Sequence, residues 1–262
     1  MVSSMSNETS SSSWILGEAR RVSDEAKKNG ITIRLMGATA IATHCPTYAR
    51  LFIDKDRHLS DLDFMGYSKE FEKVEQTIRN LGYVQRKLGF AVSASARGRR
   101  SIFDSKRALT IDVFYDKLEM CHTIEFTSRL SLDDPTITLA DLLLEKLQIV
   151  KINQKDIKDV IVLLREHQIG DTEIETINAN YISDLLSREW GFYYTATTNL
   201  DKIKRSLSDY AVLADIDRKD ISAKIDRLRD VIESKPKSMR WKMRARIGPS
   251  SKWYNEVEEV VR

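Results

Sequence analysis

Two segments of this sequence are suited to chemistry: Asp61-Leu62-Asp63-Phe64 and Thr110-Ile111-Asp112-Val113-Phe114. Both alternate polar with apolar residues, as half-buried strands do. On a strand, successive side chains point to opposite faces, so Asp61 and Asp63 project together while Leu62 and Phe64 turn to the other side. Two carboxylates crowded on one spot repel each other, and a divalent cation is the usual remedy. Hard oxygen ligands favour magnesium, with manganese as its substitute. Asp112 can add a third carboxylate to the same side, and three such ligands can hold two metal ions.

Asp-x-Asp alone is a weak signal, because it recurs as Asp54/Asp56 and Asp215/Asp217. Asp215 and Asp217 precede a helical pattern and read as helix-start acids; Asp54 and Asp56 read as turn residues. What sets Asp61/Asp63 apart is a strand on either side and a glycine turn upstream. Gly37 follows a strand and precedes a helix, where a residue without Cβ lets backbone N–H groups approach an anion. That makes a phosphate seat, to which Thr39 can add a hydroxyl donor. His44-Cys45 and Cys121-His122 supply four zinc-type ligands, but adjacent residues of a strand face opposite ways, which argues against a shared zinc.

The elements that must position these acids are legible in outline. Residues 1–12 are Ser-, Asn- and Thr-rich without periodicity and read as a disordered leader. Ile15, Ala19, Val22 and Ala26 recur at helical spacing before Gly30, and Ile31 to Met36 reads as a strand running into Gly37. A strand at Asp61–Phe64 leads to a helix with Phe71, Val74, Ile78 and Leu81 on one face. Further strands are expected around 83–86, 101–103, 109–115 and 122–126. This is an α+β pattern, a mixed sheet flanked by helices over 13–135. A mainly helical C-terminal region is expected over 136–262, with strand signals fading from Thr138. The stretch from Lys235 to Lys252 carries seven basic residues and no acidic one, with Trp241 among them. It reads as an exposed basic segment, after which Trp253 opens a last short helix.

Bulk properties bound the rest. The chain has 262 residues, Lys+Arg 42 against Asp+Glu 39, and a net charge of only +3, so attraction to nucleic acid must come from local patches. No apolar run approaches a membrane span, no secretory signal opens the chain, and two cysteines make no disulfide framework. These features point to a cytoplasmic protein without membrane partners.

Taken together, the strand leading to Gly37-Ala38-Thr39-Ala40, then Asp61-Leu62-Asp63, then Ile111-Asp112-Val113 resembles the DNA polymerase β-type nucleotidyltransferase superfamily. Within it, Met36-Gly37-Ala38-Thr39-Ala40-Ile41, Arg57 before the first acid, and Lys146 followed by Lys155-Asp156-x-x-Asp159 are similar to the AbiEii-type nucleotidyltransferase toxins. The resemblance covers roughly residues 30–165. It departs where Ala38 replaces a second glycine or serine, where Leu59 precedes Asp61 with Ser60 as substitute, and where Lys155 replaces arginine. The resemblance implies a nucleotidyltransferase core that moves a nucleoside monophosphate from an NTP to an acceptor. Asp61 and Asp63 would bind metal, Asp112 would help bind it and activate the acceptor hydroxyl, and Lys146 would contact the nucleotide with Gly37, Thr39 and Ser60. Arg57, Asp156 and Asp159 would support them.

Arg97-Gly98-Arg99-Arg100, Lys106-Arg107 and the Lys235–Lys252 stretch have the charge of an RNA-binding surface, so an RNA acceptor such as tRNA is expected. An antitoxin partner follows from the toxin resemblance. The competing readings are nucleotidylation of a protein or an antibiotic, and a non-enzymatic RNA-binding module.

Overall fold

The Asp-x-Asp strand lies inside a five-stranded sheet whose order is β1-β2-β5-β4-β3. The computed structural model describes residues 12–52, 58–86 and 100–257. The expectations for 1–11, Asp54, Asp56, Arg57, Arg97, Gly98 and Arg99 lie outside the described residues. The strands are β1 (Ile33–Met36), β2 (Asp61–Gly66), β3 (Val84–Gln85), β4 (Arg100–Asp104) and β5 (Thr110–Tyr115). β2 and β5 run parallel, and the other neighbours are antiparallel. The sheet is therefore mixed, and the chain is α+β.

Alternation assigns the two faces of this sheet. Leu62, Phe64, Ile111 and Val113 are fully buried on one face. Burial of each such side chain is worth about 1.5–3 kcal/mol, so this face fixes the register of the strands. Against it packs a helical layer of α1 (Ser12–Lys28), α2 (Gly37–His44) and α3 (Phe71–Asn80). Ser101 and Tyr115, which share that face, reach α3: the Ser101 hydroxyl donates to Glu75 at 2.9 Å, and Tyr115 meets the Phe71 ring at 5.1 Å. Asp61, Asp63 and Asp112 occupy the opposite face.

The chain divides into two compact units, Met1–Leu118 with Glu125–Ile137, and Glu119–Ile124 with Thr138–Arg262. A hairpin of β6 (Lys117–Glu119) and β7 (Thr123–Glu125) marks the crossing. The second unit holds α4 (Leu139–Leu147), α5 (Gln154–Glu166), α6 (Ala179–Arg188), α7 (Trp190–Ser206), α8 (Asp215–Ser234) and α9 (Met239–Ile247). Side chains cap these helices: Thr138 accepts from Asp141 N, Asn153 from Lys155 N and Asp156 N, and Asn178 from Tyr181 N. Two short parallel strands, β8 (Gln168–Gly170) and β9 (Thr176–Asn178), interrupt the helices where no strand was expected. Three residues are too few to show a period.

Three smaller corrections follow. His44-Cys45 falls at the end of α2 and Cys121-His122 in the β6–β7 turn, so neither pair lies in a strand. The last described α-helix is α9, inside the basic stretch, followed by one 3-10 turn at Gly248–Ser250, and Trp253 opens no helix among the described residues. Ser12, expected in the leader, is buried in the first turn of α1. No helix of the described residues is long and apolar enough to cross a membrane.

Candidate functional site

Parallel pairing of β2 with β5 sets Asp63 directly beside Asp112, and Asp61 beside Thr110. Neighbouring strands lie about 4.8 Å apart, so the three acids of the two strands share one patch of the outer face. Asp61 and Asp63 are partly exposed, whereas Asp112 is fully buried. The Ser60 hydroxyl donates to Asp61 Oδ1 at 3.0 Å. Ser60 thus orients the first acid, one bond removed from the nucleotide contact the resemblance implies.

Gly37 closes the upstream side. β1 pairs with β2 so that Met36 faces Asp63, and α2 starts at the next residue. Gly37 has φ +71°, and a Cβ built on it would sit 2.9 Å from Asp63 Oδ2. Only glycine meets both demands, the left-handed backbone and the close approach of a carboxylate. The first turn of α2 therefore begins against an acid, which brings a helix N-terminus and a metal-type ligand to one place.

Thr39 does not present its hydroxyl as expected. It is buried, and its Oγ1 donates to the carbonyl of Asp61 at 3.1 Å. Its contribution is to tie α2 to the start of β2, which holds Asp61 in place.

Arg100 is the residue of this face that sequence reading misplaced. Expected in an RNA-binding cluster with Arg97 and Arg99, it starts β4 and turns inward to Asp112. Its Nε donates to Oδ1 at 2.7 Å and its Nη2 donates to Oδ2. The Asp112 hydrogen bond raises the Arg100 pKa against the opposing effect of burial, and the charge of Asp63 adds to the rise. Asp112, expected as a third metal ligand, is in this arrangement a buried acid clamped by a guanidinium. Among the described residues no group of three His, Cys, Asp or Glu stands ready to hold a metal ion. The donor set suits a hard cation nonetheless, with Asp61 and Asp63 partly exposed beside the Gly37 cradle.

Lys146, Asp156 and Asp159 come together within the second unit. Lys146 is buried on α4, and its Nζ lies 3.3 Å from Asp156, 3.2 Å from Asp159 and 3.9 Å from Glu145. Burying an unpaired charge is costly, so this ammonium neutralises buried carboxylates in the first instance. A nucleotide contact requires it to exchange those partners.

The basic stretch is built differently from an open RNA platform. Trp241 donates from Nε1 to the Leu186 carbonyl at 3.1 Å and meets Tyr193 edge-on at 5.0 Å. Arg244 lies 4.4 Å over the Trp190 ring, and Trp253 donates to Thr195 Oγ1 at 3.1 Å. A Cβ on Gly191 would come within 2.4 Å of the Trp253 carbonyl. The aromatics thus fasten the segment to α6 and α7; of the α9 cations Arg240, Lys242 and Arg246 are exposed, beside the exposed apolar side chains of Met239, Met243 and Ile247. In the same unit His122 stacks on Phe192 at 4.9 Å with Nε2 2.9 Å from Thr195 Oγ1, and burial pushes its pKa down to about 4.

No family profile matches the sequence, and no curated protein matches it. A solved structure of the antibiotic-resistance factor ANT(2'')-Ia is similar at 10% identity and a TM-score of 0.42, over 67% of this chain and 95% of that chain. At that level the two chains share too little for any residue or activity to be carried across.

Proposed function

We propose that this chain is a metal-dependent nucleotidyltransferase that moves a nucleoside monophosphate from an NTP onto an acceptor hydroxyl. The observation that carries the reading is the juxtaposition of Asp63 with Asp112 in register, with Asp63 pressed against a positive-φ glycine that starts a helix. Asp61 and Asp63 would hold a magnesium or manganese ion, which would supply positive charge against the triphosphate. The α2 N-terminus at Gly37 would receive phosphate oxygens. The acceptor oxygen attacks the α-phosphorus, the bond to the bridging oxygen breaks and pyrophosphate leaves. Arg100, by exchanging Asp112 for a phosphate oxygen, would free Asp112 to orient the hydroxyl and take its proton.

RNA, such as tRNA, is the acceptor this proposal names, supported by the exposed cations Arg240, Lys242 and Arg246. A toxin role with an antitoxin partner belongs to the same proposal and is checked by growth arrest on expression.

The test is incubation with each α-labelled NTP, magnesium and cell extract, followed by separation of RNA, protein and small molecules. Label in RNA, lost in Asp63→Asn, supports the whole reading. Label only in protein or in an antibiotic replaces the acceptor and keeps the enzyme. No transfer and no magnesium-dependent NTP binding leaves a non-enzymatic module and overturns the proposal.

A further inference from the structure

On the face of the sheet away from the acids, α1 and α2 leave an open cleft of about 420 Å³, with Gly17, Arg20, Thr43, Pro46 and Pro135 exposed along it. That volume is within the range of small-molecule sites, roughly 300–1,000 Å³. Leu16, Ala19, Ala42, Pro46 and Pro135 make its walls apolar. Three residues of α1 give it further character, and all lie along one side of the helix at three-residue steps.

Gly17 is the first. It sits inside α1, where glycine costs about 1 kcal/mol relative to alanine, and nothing lies within 4 Å of where its Cβ would be. Gly17 is exposed and lines the cleft, so a larger residue would stand at its open side. Ser23 is the second: its Oγ is buried and has no hydrogen-bond partner. An unsatisfied buried hydroxyl costs about 1–3 kcal/mol, and a ligand acceptor would remove that cost. Arg20 is the third, an exposed residue that lines the same cleft and forms no ion pair with the described residues.

We propose that this cleft binds a small amphipathic monoanion, an aliphatic carboxylate whose chain lies against the apolar walls. The carboxylate accepts from the Ser23 hydroxyl and the Arg20 guanidinium. A neutral ligand leaves the arginine unused, and a polyanion finds too few donors. The site is independent of the nucleotidyl-transfer reading.

The test is calorimetric titration of decanoate into the full chain, beside decanol and acetate. Decanoate should bind more tightly than decanol by about tenfold and far more tightly than acetate. Arg20→Gln should remove the preference over decanol without altering the melting curve, because Arg20 is exposed. Ser23→Ala should weaken decanoate several-fold. Gly17→Leu should abolish binding of both while the chain melts at the same or a higher temperature. Equal affinity for decanol and decanoate, no decanoate binding, or unchanged binding in Gly17→Leu would each overturn the proposal.

Discussion

Arg100 grips Asp112 through two parallel hydrogen bonds, one of them 2.7 Å long, and the Asp112 side chain is only 1% exposed. A carboxylate so placed depends on its guanidinium for compensation. Arg100→Ala should therefore destabilise the fold by about 3 kcal/mol, and Arg100→Ala with Asp112→Ala by less than the sum of the two single changes. Urea unfolding of the double-mutant cycle checks this. Additive costs would show that the pair has no special coupling.

Gly37→Ala places a methyl group at the Asp63 carboxylate on a backbone that alanine adopts with strain. The expected loss of stability is about 1–2 kcal/mol. Transfer should fall far more, at least a hundredfold, because the displaced group is a proposed metal ligand. Single-turnover rates measured alongside thermal melts separate the two effects. Transfer that declines only as far as stability does would count against the site.

How much of this was legible beforehand depends on range. Alternation along β2 and β5 placed each acid on a face, because a strand's period is local. The pairing of β2 with β5 in parallel is not local, and neither is the β4 register that delivers Arg100 to Asp112. The strand at 101–103 was expected, but its burial runs through Ser101, Ile102 and Phe103 together, so no local period says which way Arg100 turns. Thr39 looked like a phosphate donor because composition shows a hydroxyl but not the carbonyl it meets. Trp241 looked exposed because its partners on α6 and α7 are far along the chain.

His122 carries a pH dependence. Its pKa of about 4 lies below the ordinary value of about 6.5, so the unfolded chain takes up a proton at higher pH than the fold does. Its contribution to stability is complete above pH 6.5, declines as pH falls toward 4 and is then constant. The decline amounts to at most about 3 kcal/mol. Chemical denaturation of wild type and His122→Gln across that window measures it as the difference in slope. Identical slopes would place the titration elsewhere.

For the acceptor, removing the chain from Lys235 onward is a poor probe, since it strips Trp241 and Trp253 from the aromatic residues of α7. The triple change of Arg240, Lys242 and Arg246 to Gln leaves those contacts in place. If RNA binds there, log affinity against log salt should become shallower by about 2 units, because fewer phosphate counterions are released. NTP binding should be unaffected. A slope equal to that of wild type would move the RNA surface away from α9.

The parallel pairing of β2 with β5 also has a meaning in time. Adjacent parallel strands need a long connection, and here the partners Asp63 and Asp112 are separated by the whole of α3, β3 and β4. Closing so long a loop is slow compared with forming the local hairpin of β4 and β5. A chain emerging during synthesis therefore has Asp61, Asp63 and Gly37 outside the ribosome well before Asp112 exists to join them. The three acids therefore share a face only in a chain that extends through β5 and has closed that pairing.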